Sequence, residues 1–280
     1  MSEKINTALE WGQSQFSHIS DSPKLDAELL LAFCCDKPRS FLYTWPEQEL
    51  SVETWHCFQA LVSKRLAPTP VAYLLGEREF FSLSFKTTSS ALVPRPETEL
   101  LVETALDLCP PGSELRILEL GTGTGAIPIS LKTQRPDICM VATDISPACL
   151  DLAQQNAERH KVAIDWIESD WFSAIESAQT FDMIVSNPPY IAANNPYLTR
   201  GDLPAEPMLA LSPGETGLES IAQIVASSPD YLKPGGYLLL EHGYDQQSEV
   251  ARLMRIYGFV QINCKQDANH QPRVSMGQLG

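Results

Sequence analysis

Four consecutive residues, Asn187, Pro188, Pro189 and Tyr190, carry groups whose combination suits one kind of chemistry. The nitrogen of an amide or an exocyclic NH2 group is a weak nucleophile, because its lone pair is delocalised into a π system. It also brings two hydrogens that need acceptors. The side-chain oxygen of Asn187 and the backbone carbonyl of Pro188 can take one each. Two successive prolines remove two backbone donors and stiffen the turn, so the segment offers acceptors to a donor. When such a nitrogen takes up a methyl group, positive charge grows on it, and carbonyl dipoles already in place stabilise that charge. The ring of Tyr190 can stack on the flat group and hold it in line with a sulfonium. The same four residues alone also fit a β-turn. The apolar stretch at residues 181–186 before them and a glycine loop upstream favour the site.

That loop is Gly121-Thr122-Gly123-Thr124-Gly125, followed by Ala126. Glycines let the chain turn tightly and let a ligand approach the backbone closely. The helix that follows offers unpaired N–H groups to a negative or polar ligand. Asp144 comes 23 residues after Gly121, at the end of the next apolar stretch, where a carboxylate can accept both hydroxyls of a ribose. Asp170-Trp171-Phe172 follows a third such stretch, and an aromatic ring there can stack on a purine. The loop and the acid alone fit a dinucleotide-binding dehydrogenase as well as a methyltransferase, and a glycine turn can also serve packing alone.

These residues need a scaffold that brings strand ends together. From about residue 96, short apolar stretches at 115–120, 139–143, 164–168, 181–186, 237–241 and 259–264 alternate with helical patterns at 126–133, 146–160, 218–232 and 246–257. Alternation of this kind predicts an α/β fold with a mostly parallel sheet covered by helices on both faces. The open edge at the carboxyl ends of the strands is where such sheets bind ligands. Residues 1–67 read instead as three to five helices, with Ser51 as a cap and Pro68 and Pro70 as a stop. Residues 71–93 read as a β-hairpin between two domains.

Composition narrows the class. Twenty Lys and Arg stand against 35 Asp and Glu, a net charge of −15, which repels a phosphate backbone over long range. The excess lies in residues 91–280, with 12 basic and 24 acidic side chains, against 8 and 11 in residues 1–90. No apolar run approaches the ~20 residues needed to span a bilayer. The N-terminal residues lack the apolar core of a signal peptide, so the expected compartment is the cytosol. Seven cysteines with no C-x-x-C pair predict reduced thiols, with no metal cluster or disulfide framework.

Further segments join these motifs: Tyr73-Leu74-Leu75-Gly76-Glu77 through Phe80, Val93-Pro94-Arg95-Pro96-Glu97-Thr98-Glu99, Glu206-Pro207, Pro234-Gly235-Gly236 and Glu241-His242-Gly243. Over essentially its whole length the chain resembles the HemK/PrmC family of release factor glutamine N5-methyltransferases, which are class I S-adenosylmethionine-dependent methyltransferases. The resemblance implies a Rossmann-like, seven-stranded, mostly parallel sheet behind a small N-terminal helical domain. The expected division is a helical substrate-docking domain at 1–70, a hairpin linker at 71–93 and a catalytic domain at 94–280. It implies S-adenosyl-L-methionine as cofactor, contacted by Gly121, Thr122, Gly123, Thr124, Gly125, Asp144, Trp171 and Asn187. Substrate contacts fall on Asn187, Pro188, Pro189 and Tyr190, with Asn187, Pro188 and Tyr190 catalytic and no metal. The implied partners are class 1 peptide chain release factors, methylated on the glutamine of a Gly-Gly-Gln loop, with no direct nucleic acid and no membrane. Ser212-Pro213-Gly214-Glu215-Thr216-Gly217 departs from the family's usual Gly-Gly-x-Asp-Gly, which leaves that loop's shape open. The competing readings are an amino-group methyltransferase acting on DNA, RNA or a ribosomal-protein glutamine, and a catalytically silent binding module.

Overall fold

Apolar residues spaced three and four apart fold the first part of the chain into helices. In α1 (Ile5–Phe16) the spacing Ile5, Ala8, Gly12, Phe16 buries one face. A Cβ on Gly12 would come within 2.7 Å of the Phe58 ring, so glycine there lets α1 lie close to its neighbour. The other helices of this part are α2 (Pro23–Cys35), α3 (Arg39–Thr44), α4 (Val52–Arg65) and α5 (Val71–Leu75). Ser51 caps α4 by accepting a hydrogen bond from the Thr54 N–H. The computed structural model describes residues 3–280, so the first two residues of the expected helical domain lie outside it. The chain forms two units, Met1–Glu77 with Pro196–Glu206, and Arg78–Asn195 with Pro207–Gly280.

This division differs from one drawn at residues 70 and 93. Val71–Leu75 is helical, not β, and Val71 joins the helical core. The hairpin is confined to β1 (Glu77–Phe80) and β2 (Leu83–Lys86). Its two-residue turn places Phe81 and Ser82 at positive φ, a conformation that a Phe-Ser pair does not advertise. The return of residues 196–206 to the helical unit follows no local signal. It is accompanied by an ion pair of Arg65 with Asp202 at 2.8 Å, beside the Arg65–Asp26 pair at 2.9 Å.

The second unit continues with α6 (Glu99–Asp107), β3 (Arg116–Leu120), α7 (Ala126–Gln134), β4 (Cys139–Asp144), α8 (Pro147–His160), β5 (Asp165–Glu168) and β6 (Phe181–Ser186). Then come α9 (Met208–Leu211), α10 (Glu219–Ser227), β7 (Leu232–Glu241), α11 (Gln247–Ile256), β8 (Phe259–Gln266) and β9 (Pro272–Leu279). The seven-stranded sheet runs β5-β4-β3-β6-β7-β9-β8. Five strands are parallel, and β9 inserts antiparallel between β7 and β8. The apolar stretches expected from the sequence end at residue 264, and β9 lies beyond them, its apolar and polar residues alternating across a sheet interior. β7 begins five residues before the stretch expected at 237–241. The strand runs through Pro234-Gly235-Gly236 by means of a register shift, and α10 ends at Ser227 before Pro229. From β3 the chain adds β4 and β5 on one side and later β6 and β7 on the other. The order therefore reverses between β3 and β6, and a crevice opens at their carboxyl ends.

Candidate functional site

The last residues of β3 are fully buried, and the chain leaves the sheet at Gly121. Gly121, Gly123 and Gly125 all have φ between +55° and +78°, which only glycine adopts at low cost. The Thr122 N–H donates to the Thr143 carbonyl at 2.8 Å, and the Gly125 N–H to the Thr122 carbonyl at 2.9 Å, fixing the loop against β4. The three glycines differ in what surrounds them. A Cβ on Gly125 would meet Ile129 at 2.9 Å and Ala153 at 3.1 Å, whereas one on Gly123 would meet only Ala91, at 4.0 Å. Gly125 thus serves helix packing, while Gly123 keeps a wall of the crevice clear.

Asp144 ends β4. Its Oδ2 accepts from the Gly123 N–H at 2.8 Å and its Oδ1 from the Ser146 N–H at 2.9 Å. Each oxygen keeps acceptor capacity for one further donor. Burial raises the carboxyl above the ordinary aspartate range, against the pull of these two N–H groups. Trp171 lies beyond β5 with φ +49°, a strained value for a bulky residue. The Ser169 hydroxyl holds that turn, donating to the Trp171 carbonyl at 2.8 Å. The ring edge sits 3.6 Å from where a Gly121 Cβ would be, so the indole lies along the glycine turn.

The Ser186 hydroxyl donates to the Leu120 carbonyl at 2.7 Å, which ties the end of β6 to the end of β3 and sets Asn187 beside the glycine loop. Asn187 Nδ2 donates to Thr98 Oγ1 at 3.0 Å. Thr98 stands in a 3-10 turn (Pro96–Thr98) and is buried. The Tyr190 hydroxyl donates to Glu241 Oε1 at 3.2 Å. Burial pushes Glu241 up to about 7, opposed by the nearby Thr98 hydroxyl and by the hydrogen bond from Tyr190. Burial also raises the Tyr190 phenol, and the neighbouring Glu241 adds to the rise.

A cavity of about 450 Å³ opens at this edge. Gly121, Thr122, Gly123, Thr124, Asp144, Trp171, Asn187 and Pro189 line it together. Gly125, Pro188 and Tyr190 fall outside the lining, Gly125 because it packs on α8 and Tyr190 because its side chain turns back to Glu241. Three residues that the sequence reading assigned no role belong to the site. Glu119 lines the cavity, takes the Thr122 hydroxyl at 2.5 Å on Oε2, and leaves Oε1 without a partner. Burial pushes its carboxyl up to about 8 despite the Thr122 hydrogen bond, and repulsion from Asp144 adds to the rise. Thr98 and Glu241 hold the asparagine and the tyrosine from behind. The available signal for Glu119 was a charged residue inside an apolar strand.

A model of the PrmC N-terminal domain matches residues 7–76, and one of the methyltransferase small domain matches residues 96–200. A release factor glutamine methyltransferase from Shewanella oneidensis is 42% identical over 98% of this chain and 96% of its own. One from Vibrio cholerae is 42% identical over 99% and 98%. The chain belongs to the release factor glutamine methyltransferase family. It is therefore a methyltransferase of the S-adenosylmethionine-dependent class. The T. thermophilus 16S rRNA methyltransferase RsmC, solved with AdoMet and guanosine, shares the fold at 19% identity and a TM-score of 0.54, covering 73% of this chain and 50% of that one. No helix among the described residues is long and apolar enough to cross a membrane, and no group of side chains among them could hold a metal ion.

Proposed function

We propose that this family member transfers a methyl group from S-adenosylmethionine to the side-chain amide nitrogen (N5) of the glutamine in the Gly-Gly-Gln loop of class 1 peptide chain release factors. The observation that carries the reading is the fixed Asn187 amide: its nitrogen is tied to Thr98, so its oxygen is left for a substrate N–H at a cofactor-sized cavity. The residues fit the cofactor. The unpartnered, buried Glu119 Oε1 suits an ammonium group, the two Asp144 oxygens suit ribose hydroxyls, and the Trp171 ring suits adenine. Bound there, S-adenosylmethionine supplies a methyl group made electrophilic by its sulfonium. Asn187 Oδ1 and the Pro188 carbonyl accept the two amide hydrogens and stabilise the charge that grows on nitrogen. Tyr190, outside the cavity lining and tied to Glu241, steadies the turn that carries Asn187. The helical unit supplies docking surface for the release factor. Seven free thiols suit a cytosolic protein.

The test is mass spectrometry of a purified release factor incubated with enzyme and cofactor. The peptide containing Gly-Gly-Gln gains one CH2, localised to the glutamine by fragmentation. An unmodified peptide from an enzyme that binds cofactor normally overturns the substrate assignment. Methyl transfer to a nucleic-acid amino group instead moves the site to the competing chemistry.

A further inference from the structure

Methyl transfer to an amide needs the Asn187 side chain and the Pro188 carbonyl held still, a requirement that rests on the function proposed above. Yet the two prolines deny the turn two of the N–H groups that would normally pin it. Its entrance is fixed from the sheet side, by Ser186 on the Leu120 carbonyl and by Asn187 on Thr98. Its exit has a separate anchor, a side chain that lies 56 residues further along the chain.

We propose that Gln246 is a positioning residue for methyl transfer, its side-chain amide fastening the exit of the acceptor turn to two neighbouring loops. Gln246 Nε2 donates to the Tyr190 carbonyl at 3.0 Å and to the Gly217 carbonyl at 3.2 Å. Its Oε1 accepts from the Gly243 N–H at 2.9 Å. An amide nitrogen carries two hydrogens, so each carbonyl takes one. The partners settle the orientation: reversed, the amide would turn its oxygen on two carbonyls and its NH2 on an N–H. A carboxylate of the same length could only accept, and an ammonium could only donate. The backbone around Gln246 is itself tied down at the start of α11. Its N–H donates to the Gly243 carbonyl at 2.9 Å, and its carbonyl accepts from the Val250 N–H at 3.0 Å.

The loop at 212–217, whose composition departs from the family's usual pattern, lies along the exit of the same turn. The Ile191 N–H donates to the Leu211 carbonyl at 3.0 Å and the Ala193 N–H to the Gly214 carbonyl at 2.7 Å. Ala192 and Gly214 form a parallel bridge between these hydrogen bonds. Gly217 then closes the loop at φ +79°, and a Cβ there would come within 2.5 Å of the Tyr190 carbonyl oxygen and 2.9 Å of the Ala192 nitrogen. Glycine is what lets two carbonyls converge on one amide nitrogen. Carbonyl oxygens brought together repel unless a donor stands between them, and Gln246 supplies both hydrogens. The loop, the turn and the end of β7 are thus held as one piece by a single side chain that stands outside the cavity lining.

The experiment compares wild type, Gln246→Met, Gln246→Glu, Gly217→Ala and Val250→Ala in methylation of a release factor, with binding of cofactor and of release factor measured separately. Gln246→Met removes the donors and the acceptor at similar length. We expect a roughly ten-fold loss of kcat with a much smaller change in the release-factor KM and in cofactor affinity. Gln246→Glu, assayed at about pH 8 where a carboxylate is ionised, keeps an oxygen for Gly243 but sets it against two carbonyls, and loses at least as much. Gly217→Ala pushes on the same Tyr190 carbonyl, so the double variant with Gln246→Met loses less than the product of the two single losses. Val250→Ala opens the fully buried core under the same helix and serves as the control: it lowers the melting temperature and keeps kcat. A readout without cofactor is hydrogen exchange of the Ile191 and Ala193 N–H groups, roughly ten-fold faster in Gln246→Met while the α11 N–H groups keep their rates. Wild-type kcat in Gln246→Met or Gln246→Glu, an equal loss in Val250→Ala, or unchanged exchange at residues 191 and 193 overturns the positioning role. If wild type itself leaves the release factor unmethylated, the substrate reading is the one that fails, and the exchange rates still decide whether Gln246 holds the turn.

Discussion

Replacing Gly125 and Gly123 by alanine separates packing from binding within one five-residue loop. Both glycines sit in the left-handed region, at φ +78° and +55°. Either substitution therefore carries a backbone cost of about 1–2 kcal/mol. At Gly123 that is nearly all, because the nearest atom to the new methyl is 4.0 Å away. At Gly125 the methyl comes within 2.9 Å of Ile129 Cδ1 and within 3.3 Å of the Ala153 backbone on α8. A side-chain tip can move, but a helix backbone cannot do so cheaply, which adds roughly 1–3 kcal/mol of overpacking. We expect Gly125→Ala to destabilise the second unit by about 3 kcal/mol, or roughly 6–12 °C in melting temperature. Gly123→Ala should lose only about 1–2 kcal/mol but weaken S-adenosylmethionine binding more than tenfold, at roughly 1.4 kcal/mol per decade, since its methyl projects into the cavity. Thermal denaturation and calorimetric titration of both variants check this. A Gly125→Ala protein as stable as Gly123→Ala would refute the packing argument. Equal cofactor affinity in wild type and Gly123→Ala would refute the assignment of the cavity wall.

Asp144→Ala removes the acceptor for Gly123 and Ser146 N–H groups as well as for the proposed ribose, so calorimetry should show cofactor affinity falling by a factor on the order of 10–100, with unchanged affinity counting against the ribose role. Trp171→Gly relieves a strained φ of +49° but deletes the ring, so the apo protein should hold its melting temperature better than Trp171→Ala while both bind cofactor weakly; equal apo melting temperatures would mean that the strain is negligible. Glu119 binds its proton more tightly folded than unfolded, with a folded value of about 8 against an ordinary 4.5, so its contribution to stability falls as pH rises from about 5 to 8. Glu119→Gln should flatten that part of the stability–pH curve in urea unfolding, and a curve of the same slope in the variant would sink the argument.

The valence of the site was legible in the chain. Asn187 to Tyr190 read as an acceptor-rich turn, because the two prolines have no N–H and the asparagine side chain carries a carbonyl beside its NH2. The glycine loop and Asp144 were equally local: a turn at positive φ favours glycine, and an acid at a strand end needs only the strand. Apolar periodicity gave most strands and helices of the second unit to within a few residues. It failed at Val71–Leu75, where a short apolar helix looks the same as a strand, and at Pro272–Leu279, where the strand's polar residues conceal its burial. The tertiary structure alone decided which acceptor faces which way. Asn187 meets Thr98 across 89 positions of sequence, and Tyr190 meets Glu241 across 51, each pair brought together by the sheet and the turn beside it. It also sorted the glycines, since Gly123 and Gly125 are identical in sequence and differ only in whether α8 lies against them. A sequence fixes what each group can donate or accept, but a hydrogen bond has a direction and a partner, and both are set by which buried groups the folded chain leaves within reach.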